Sequence, residues 1–154
     1  MGLLIAVTAL VRVGLAAAVG LSVDESDMVG ISREWALSYL DHPPLHIWLV
    51  RAWATLAGSE RPVVVRLPFI ALFSGLTWLM YRLTGRVYGE RAGLWAAVAL
   101  NLTPVFTLSI AGWVLPDGPL VFFSLFAASA IANTVLAKHT PPHPLAGWIA
   151  AAPR

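Results

Sequence analysis

The sequence has 154 residues, of which 58% are hydrophobic and 12% are charged, and its mean hydropathy is +0.77. Soluble domains carry about 25% charged residues, so this composition predicts an integral membrane protein and excludes an ordinary soluble domain. The net charge of +2 is small, and no basic run is present, which argues against nucleic-acid binding. The absence of cysteine excludes disulfides and cysteine-based metal or nucleophilic sites.

The first apolar segment covers residues 3–23, and its length suits a membrane span. A signal peptide cleaved near residues 16–18 is the alternative, but the segment lacks the basic beginning that such peptides have. Arg12 lies inside the segment. It either faces the interior of the bundle and pairs with a carboxylate or a phosphate, or its side chain snorkels toward an interface.

A polar loop follows over residues 24–62, and five of the eight acidic residues of the chain lie in its first part, 24–48. Carboxylates in a membrane protein are costly unless they face water, a partner or a site. We therefore interpret this loop as an active-site loop at the membrane surface, framed by the apolar segments.

Two amphipathic helices are predicted within this loop. Met28, Ile31 and Trp35 recur at helical spacing, which predicts a surface helix over residues 24–39. The Asp-His-Pro-Pro motif that comes next must break the helix, because proline lacks an amide donor and restricts the residue before it. Proline suits the first turn of a helix, so the second helix is predicted to begin at Pro44.

Three further apolar segments have the length of a span: 63–81, 92–110 and 120–137. The turn 82–91 contains three arginines, and this density places it in the cytoplasm. The sequence thus predicts an all-α, polytopic membrane bundle of about four transmembrane helices. Residues 1–154 are predicted to form one membrane-embedded unit. The chain stops where another span should build, so we expect it to be a fragment.

Asp24 and Asp117 stand at the ends of two predicted spans. Two membrane crossings separate them, so both are predicted on the outer face, where they can share one site. A carboxylate at the water-accessible end of a helix bundle can act as a general base. The alternatives are a helix cap at Asp24 and a turn aspartate at Asp117, within the strong turn signal Pro-Asp-Gly.

The rigid motif Asp41-His42-Pro-Pro, with His46 close behind, is a third candidate. These side chains either hydrogen-bond a polar substrate or its phosphate, or bind a divalent metal; the prolines interrupt the helical spacing that a metal site would favour. Asn101-Leu-Thr matches the glycosylation pattern but lies in an apolar segment, so we discard it.

The order of these motifs resembles the N-terminal part of a GT-C-fold glycosyltransferase, of the dolichyl-phosphate-mannose-protein mannosyltransferase and aminoarabinose transferase family. The resemblance runs over residues 3–137. Its motifs are Asp24-Glu25, Tyr39-Leu-Asp-His-Pro-Pro-Leu45, Arg66-Leu-Pro68, Gly85-Arg-Val-Tyr-Gly-Glu-Arg-Ala-Gly93 and Leu115-Pro-Asp-Gly-Pro-Leu120.

The resemblance implies a multi-pass enzyme of the inner membrane. It would transfer a sugar from a polyprenyl-phosphate donor to a lipid, glycan or protein acceptor on the outer side. Asp24 would be the catalytic base, and Asp117 would line the same site. The position of Asp41 and His42 is similar to a charged pair that some relatives use near the donor phosphate or a metal. A leaving lipid phosphate needs positive or hydrogen-bonding partners, for which Arg33, Arg66 and His42 are the candidates. With Glu25 of the Asp-Glu motif, the predicted substrate-binding residues are Glu25, Arg33, Asp41, His42 and Arg66.

Relatives often carry tyrosines just after Asp-Glu, whereas this chain has Ser26-Asp27-Met28, which leaves the donor sugar open. The alternative to an enzyme is a small membrane transporter or a lipid-binding subunit that uses the same carboxylates. A third possibility is an inactive truncated fragment.

Overall fold

The computed structural model describes residues 1–138, and all of the regular secondary structure in this range is helical. The predicted all-α fold is confirmed. The helices are α1 (Gly2–Ala18), α2 (Val23–Ile31), α3 (Pro44–Ala57), α4 (Pro62–Tyr88), α5 (Glu90–Leu102) and α6 (Asp117–Lys138), with a π-helical segment at Phe106–Ile110 between the last two.

Two helices of the described part, α4 and α6, are long and apolar enough to cross a membrane, and α1 with α2 forms a third candidate that bends by 86°. The predicted span 92–110 is interrupted, because α5 ends at Leu102 after 13 residues, or about 20 Å. Thr103 has extended backbone angles, φ −70° and ψ 119°. This is the conformation that the following Pro104 imposes on the residue before it.

The predicted surface helix 24–39 is shorter in the structure, where α2 ends at Ile31. Side chains hold the next residues in a compact loop. The Tyr39 hydroxyl donates to the Glu34 carbonyl oxygen at 2.9 Å, and the Trp48 indole donates to the Ala36 carbonyl oxygen at 2.9 Å. These bonds replace the helical ladder.

Helix α3 begins at Pro44, as the motif predicts, and it ends at Ala57, where Gly58 caps it with φ +61°. Helix α4 then extends beyond the predicted span, as far as Tyr88. The polar turn predicted over 82–91 narrows to Gly89, whose φ of +90° favours glycine and lets α5 start at once.

Helix α4 is the centre of the bundle, since α1, α3, α5 and α6 all pack against it. One buried apolar cluster lies at its first half, around Val65 and Phe69, where α2, α3 and the segment before α6 meet. A second cluster lies around Phe73 and Leu76, against α5 and the residues after it. The first cluster therefore supports the polar loop, and the second joins α4 to α5 and α6.

Gly93 allows α4 and α5 to pack closely. A Cβ atom at this position would lie 2.5 Å from the Tyr81 carbonyl oxygen and 2.9 Å from the Gly85 Cα. Gly93→Ala should therefore lower the free energy of unfolding by about 1–3 kcal/mol, because backbone atoms cannot move aside without shifting a helix. Thermal unfolding in detergent measures this loss.

Gly14→Ala is the matched control, because it lies in α1 and its Cβ would meet no atom within 4 Å. It should leave stability unchanged or raise it by up to about 1 kcal/mol, since alanine favours helix. Equal losses for the two variants would contradict the close packing of α4 and α5.

Candidate functional site

A pocket of about 320 Å³ lies where α2, the loop before α3 and the start of α6 meet. Asp24 and Asp27 line it from α2, His42 lines it from the loop, and Asp117 lines it from the first residue of α6. We call it the acidic pocket. The structure thus brings together Asp24 and Asp117, which are far apart in sequence.

The start of α2 is fixed by a reciprocal cap between Ser22 and Glu25. The Ser22 hydroxyl accepts from the Glu25 backbone N–H at 3.3 Å, and the Glu25 carboxylate accepts from the Ser22 backbone N–H at 3.0 Å. This arrangement satisfies two amide donors that the first turn of a helix otherwise leaves free. It also sets the position of Asp24, the residue between them in the first turn.

Glu25 turns away from the acidic pocket and is fully buried, as is Arg66 of α4. The Arg66 Nε and Nη2 atoms lie 2.8 Å and 2.6 Å from the two Glu25 carboxylate oxygens. The remaining Arg66 donors bond carbonyl oxygens at the end of α1, those of Ala16, Val19 and Gly20. All five N–H donors of the guanidinium are therefore used within the protein.

The same carboxylate binds the segment that leads into α6. Its Oε1 atom accepts from the Val114 backbone N–H at 3.2 Å. Glu25 and Arg66, predicted to bind substrate, consequently lie behind the acidic pocket as a buried pair rather than among its lining side chains.

His42 reaches the acidic pocket with support from its neighbour Asp41. The Asp41 Oδ1 atom lies 2.6 Å from the His42 Nδ1 atom; the carboxylate is exposed, whereas the imidazole is half-buried. This contact holds the ring in place and leaves the Nε2 atom as its second hydrogen-bonding position.

His46 lies beneath His42, with 5.9 Å between the ring centroids, and it is buried. Its Nε2 atom lies 3.3 Å from the Met28 sulfur. Burial lowers the pKa of His46, because a buried imidazolium loses hydration, and His42 lowers it further. The Pro43 backbone and, to a smaller extent, Asp117 act to raise the pKa of His46, but they do not reverse the shift.

Arg33, the remaining predicted substrate-binding residue, lies elsewhere. It forms an exposed ion pair with Glu60, with 2.7 Å between Nη2 and Oε2. The loop 24–62 is thereby closed on itself at the surface, and Arg33 is not among the side chains that line the acidic pocket.

Within residues 1–138, no group of three or more His, Asp or Glu side chains is arranged to hold a metal ion. The divalent-metal alternative raised by Asp41, His42 and His46 therefore finds no such group in the described part of the chain. The titratable side chains that line the acidic pocket are three carboxylates and one imidazole.

An apolar groove of about 390 Å³ lies beside α1, and residues from Val7 to Val19 form one wall. Trp113 and Gly112 line the other wall, and Arg66 lies at the same end. Since Leu115 and Asp117 line the acidic pocket only a few residues later, the groove and the pocket adjoin each other across the Glu25–Arg66 pair.

Arg12 lines this groove and faces the interior of the bundle, the first of its two predicted alternatives. Its partner is an amide rather than an anion, since Nη2 donates to the Asn101 Oδ1 atom at 3.0 Å. Its guanidinium also lies 4.5 Å from the centroid of the Phe73 ring. Asn101, from the discarded glycosylation pattern, is buried and donates to Thr77.

Asp27 is the pocket residue that the sequence reasoning did not select. Its spacing of three residues from Asp24 is the available signal, because residues at i and i+3 lie on the same face of a helix. The resemblance instead favoured Glu25, which neighbours Asp24 in sequence but projects from a different side of α2.

Apolar helices that support an acidic pocket at one end define a multi-pass helical membrane protein with a polar site near its surface. A model of the family described as dolichyl-phosphate-mannose-protein mannosyltransferase matches residues 41–152, and the chain belongs to this family. No curated protein and no solved structure matches the chain.

The family consists of membrane glycosyltransferases that use polyprenyl-phosphate sugar donors, in agreement with the predicted class. The matched residues begin at Asp41 and include His42 and Asp117. Asp24 precedes the matched range, so its part in the site rests on the geometry of the acidic pocket.

Removing one partner of the buried pair should destabilise the protein strongly. Glu25→Ala leaves Arg66 buried without a counter-charge, and we expect a loss of about 3–5 kcal/mol in the free energy of unfolding. Glu60→Ala is the matched control, because it breaks an exposed ion pair and exposed pairs contribute little. Similar losses in denaturant unfolding for the two variants would contradict a supporting role for the buried pair.

The lowered pKa of His46 predicts a pH dependence of stability. An imidazole in the unfolded chain takes up a proton below about pH 6.5, whereas buried His46 resists protonation. Stability should therefore be complete above this pH and decrease as the pH falls through it. Thermal unfolding between pH 8 and pH 5 measures the decrease, which His46→Gln should reduce; an unchanged pH dependence would show that other groups cause it.

Proposed function

We propose that this chain supplies the acceptor-activating pocket of a membrane glycosyltransferase, with Asp24 as the general base. The observation that carries the proposal is that Asp24, Asp117 and His42, from three separate segments, line one pocket. Two carboxylates and an imidazole around a polar cavity suit the binding of sugar hydroxyls and the removal of a proton from one of them.

In the proposed reaction, the Asp24 carboxylate accepts the proton of the acceptor hydroxyl. The acceptor oxygen forms a bond to the anomeric carbon of the donor sugar, while the bond from that carbon to the phosphate oxygen breaks. The polyprenyl phosphate leaves with the electron pair. Each atom of donor and acceptor is thus accounted for, and only the proton passes to the protein.

Asp117 and His42 have supporting roles in this proposal. The Asp117 carboxylate accepts hydrogen bonds from hydroxyls of the bound sugar or acceptor, which orients them relative to Asp24. His42, held by Asp41 through Nδ1, presents Nε2 as a donor toward the leaving phosphate when the ring is protonated. Arg66 contributes indirectly, because its donors already bond Glu25 and the end of α1.

In this proposal, the polyprenyl chain binds in the apolar groove beside α1. It adjoins the acidic pocket, and valine and leucine side chains of α1 form its wall. A lipid donor needs such a pair of neighbouring sites, one apolar for the chain and one polar for the sugar. The acceptor class, whether lipid, glycan or protein, stays open in this proposal.

The proposal also includes the orientation of the protein in the membrane. Arg82 and Arg86 lie near the C-terminal end of α4, far from Arg66, and Arg91 lies in the first turn of α5. Positively charged short connections face the cytoplasm. The acidic pocket then opens on the outer side of the inner membrane, where the donor sugar and the acceptor would meet.

Replacing Asp24 tests the proposal. In the complete native polypeptide, Asp24→Asn should lower sugar transfer from a polyprenyl-phosphate donor by on the order of 10²–10⁴-fold, because an amide cannot accept the proton. Transfer of radiolabelled sugar in membranes measures the rate, and the helical circular dichroism signal should be unchanged.

Glu34→Gln is the matched control, since Glu34 is an exposed carboxylate of the same loop that does not line the acidic pocket. Its transfer rate should equal that of the unmodified protein. Undiminished transfer by Asp24→Asn would exclude the general-base role. Transport of a solute across sealed vesicles without formation of a glycosidic bond would favour the transporter alternative.

A further inference from the structure

A second polar pocket, of about 400 Å³, lies between α4 and α6 at the end of the bundle opposite the acidic pocket. We call it the basic pocket. Sixteen residues of α4 separate Arg66 from Arg82, which corresponds to about 24 Å along the helix. The side chains that matter for its chemistry are Trp78, Arg82, Arg86, Glu90, Ser129 and Asn133.

The basic pocket carries an excess of positive charge. The Arg82 guanidinium lies 5.4 Å from the centroid of the Trp78 ring, and Arg86 donates to the side-chain oxygen of Asn133. Glu90 also lines the pocket, but none of the ion pairs within residues 1–138 involves it or either arginine. Two cations thus face one carboxylate, and an anion is the complementary ligand.

Ser129 gives a second indication of a ligand. Its hydroxyl oxygen is buried and has no hydrogen-bond partner in the described part of the chain, although the residue lines the basic pocket. Buried hydroxyl groups are nearly always hydrogen-bonded, so an unpartnered one in a residue that lines a cavity indicates a polar ligand, which the hydroxyl reaches by rotation about χ1. An anionic oxygen can accept hydrogen bonds from both this hydroxyl and the arginines.

We infer that the basic pocket binds the phosphate group of an anionic phospholipid from the adjacent leaflet. Arg82 and Arg86 contact the phosphate oxygens, and Ser129 donates a hydrogen bond to one of them. Trp78 and Tyr81 are residues typical of the membrane interface, and Leu79 and Leu83 line the same pocket where the acyl chains would begin. A free inorganic phosphate would gain nothing from these apolar side chains.

This inference depends on α4 and α6 crossing the membrane and is independent of the proposed sugar transfer. It is tested with the full chain in dodecyl maltoside micelles, by the rise in the thermal unfolding midpoint when a lipid or ion is added. The three probes are phosphatidylglycerol, phosphatidylcholine and inorganic phosphate. Phosphatidylglycerol should stabilise the protein at much lower concentration than the other two.

The double variant R82Q/R86Q should weaken the apparent affinity for phosphatidylglycerol by about 30-fold, because each arginine near a membrane surface contributes roughly a factor of five. Ser129→Ala removes no charge and should weaken it by about fivefold, the effect of one hydrogen bond. Arg91→Gln is the matched control, since Arg91 lies at the same end of the bundle but does not line the pocket. Its affinity should be unchanged.

If phosphatidylcholine stabilised the protein as well as phosphatidylglycerol does, the specificity for an anionic headgroup would be wrong. If inorganic phosphate did so, the ligand would not need to be a lipid. Equal weakening by Arg91→Gln and the double variant would show that diffuse surface charge, rather than the basic pocket, attracts the lipid. The circular dichroism spectrum verifies that each variant keeps its helical content, and Ser129→Ala provides a test that leaves the charge of the protein intact.

Discussion

The buried pair of Glu25 and Arg66 is the interaction on which the rest of the site depends. Through it, α4 bonds the carbonyl oxygens at the end of α1, the first turn of α2 and the backbone N–H of Val114. Asp24 is covalently next to Glu25, and Asp117 follows Val114 by three residues. The two carboxylates of the acidic pocket are therefore positioned by a third carboxylate that does not enter it.

A buried ion pair is an expensive way to join segments, because both charges lose their hydration. Here the cost is offset by complete hydrogen bonding, since the guanidinium uses every donor and the carboxylate accepts from both side chains and backbone. Such directional bonds define one geometry, whereas apolar contacts tolerate many. The pair therefore positions the neighbouring carboxylates more precisely than apolar contacts alone would.

Composition and spacing predicted much of the fold. The helical class followed from the apolar segments, and the start of α3 followed from Pro44. Counting crossings also led to a shared location for Asp24 and Asp117, which line one pocket, although the span 92–110 used in the count is interrupted in the structure. The pairing of Glu25 with Arg66 was beyond such reasoning, because the residues are 41 positions apart and nothing local links them. The early end of α2 was likewise decided by tertiary contacts, which overrode the helical spacing around Trp35.

Helix α4 is unbroken over 27 residues, or about 40 Å, although Pro68 lies within it. The hydrocarbon core of a typical bilayer is about 30 Å thick, so α4 must tilt or project beyond it. The basic pocket is lined by α4, and the acidic pocket is held to α4 through the pair of Arg66 and Glu25, so the tilt of α4 affects how deeply each pocket sits. The thickness of the surrounding membrane therefore affects the access of water and lipid to the acidic pocket and to the basic pocket at the same time.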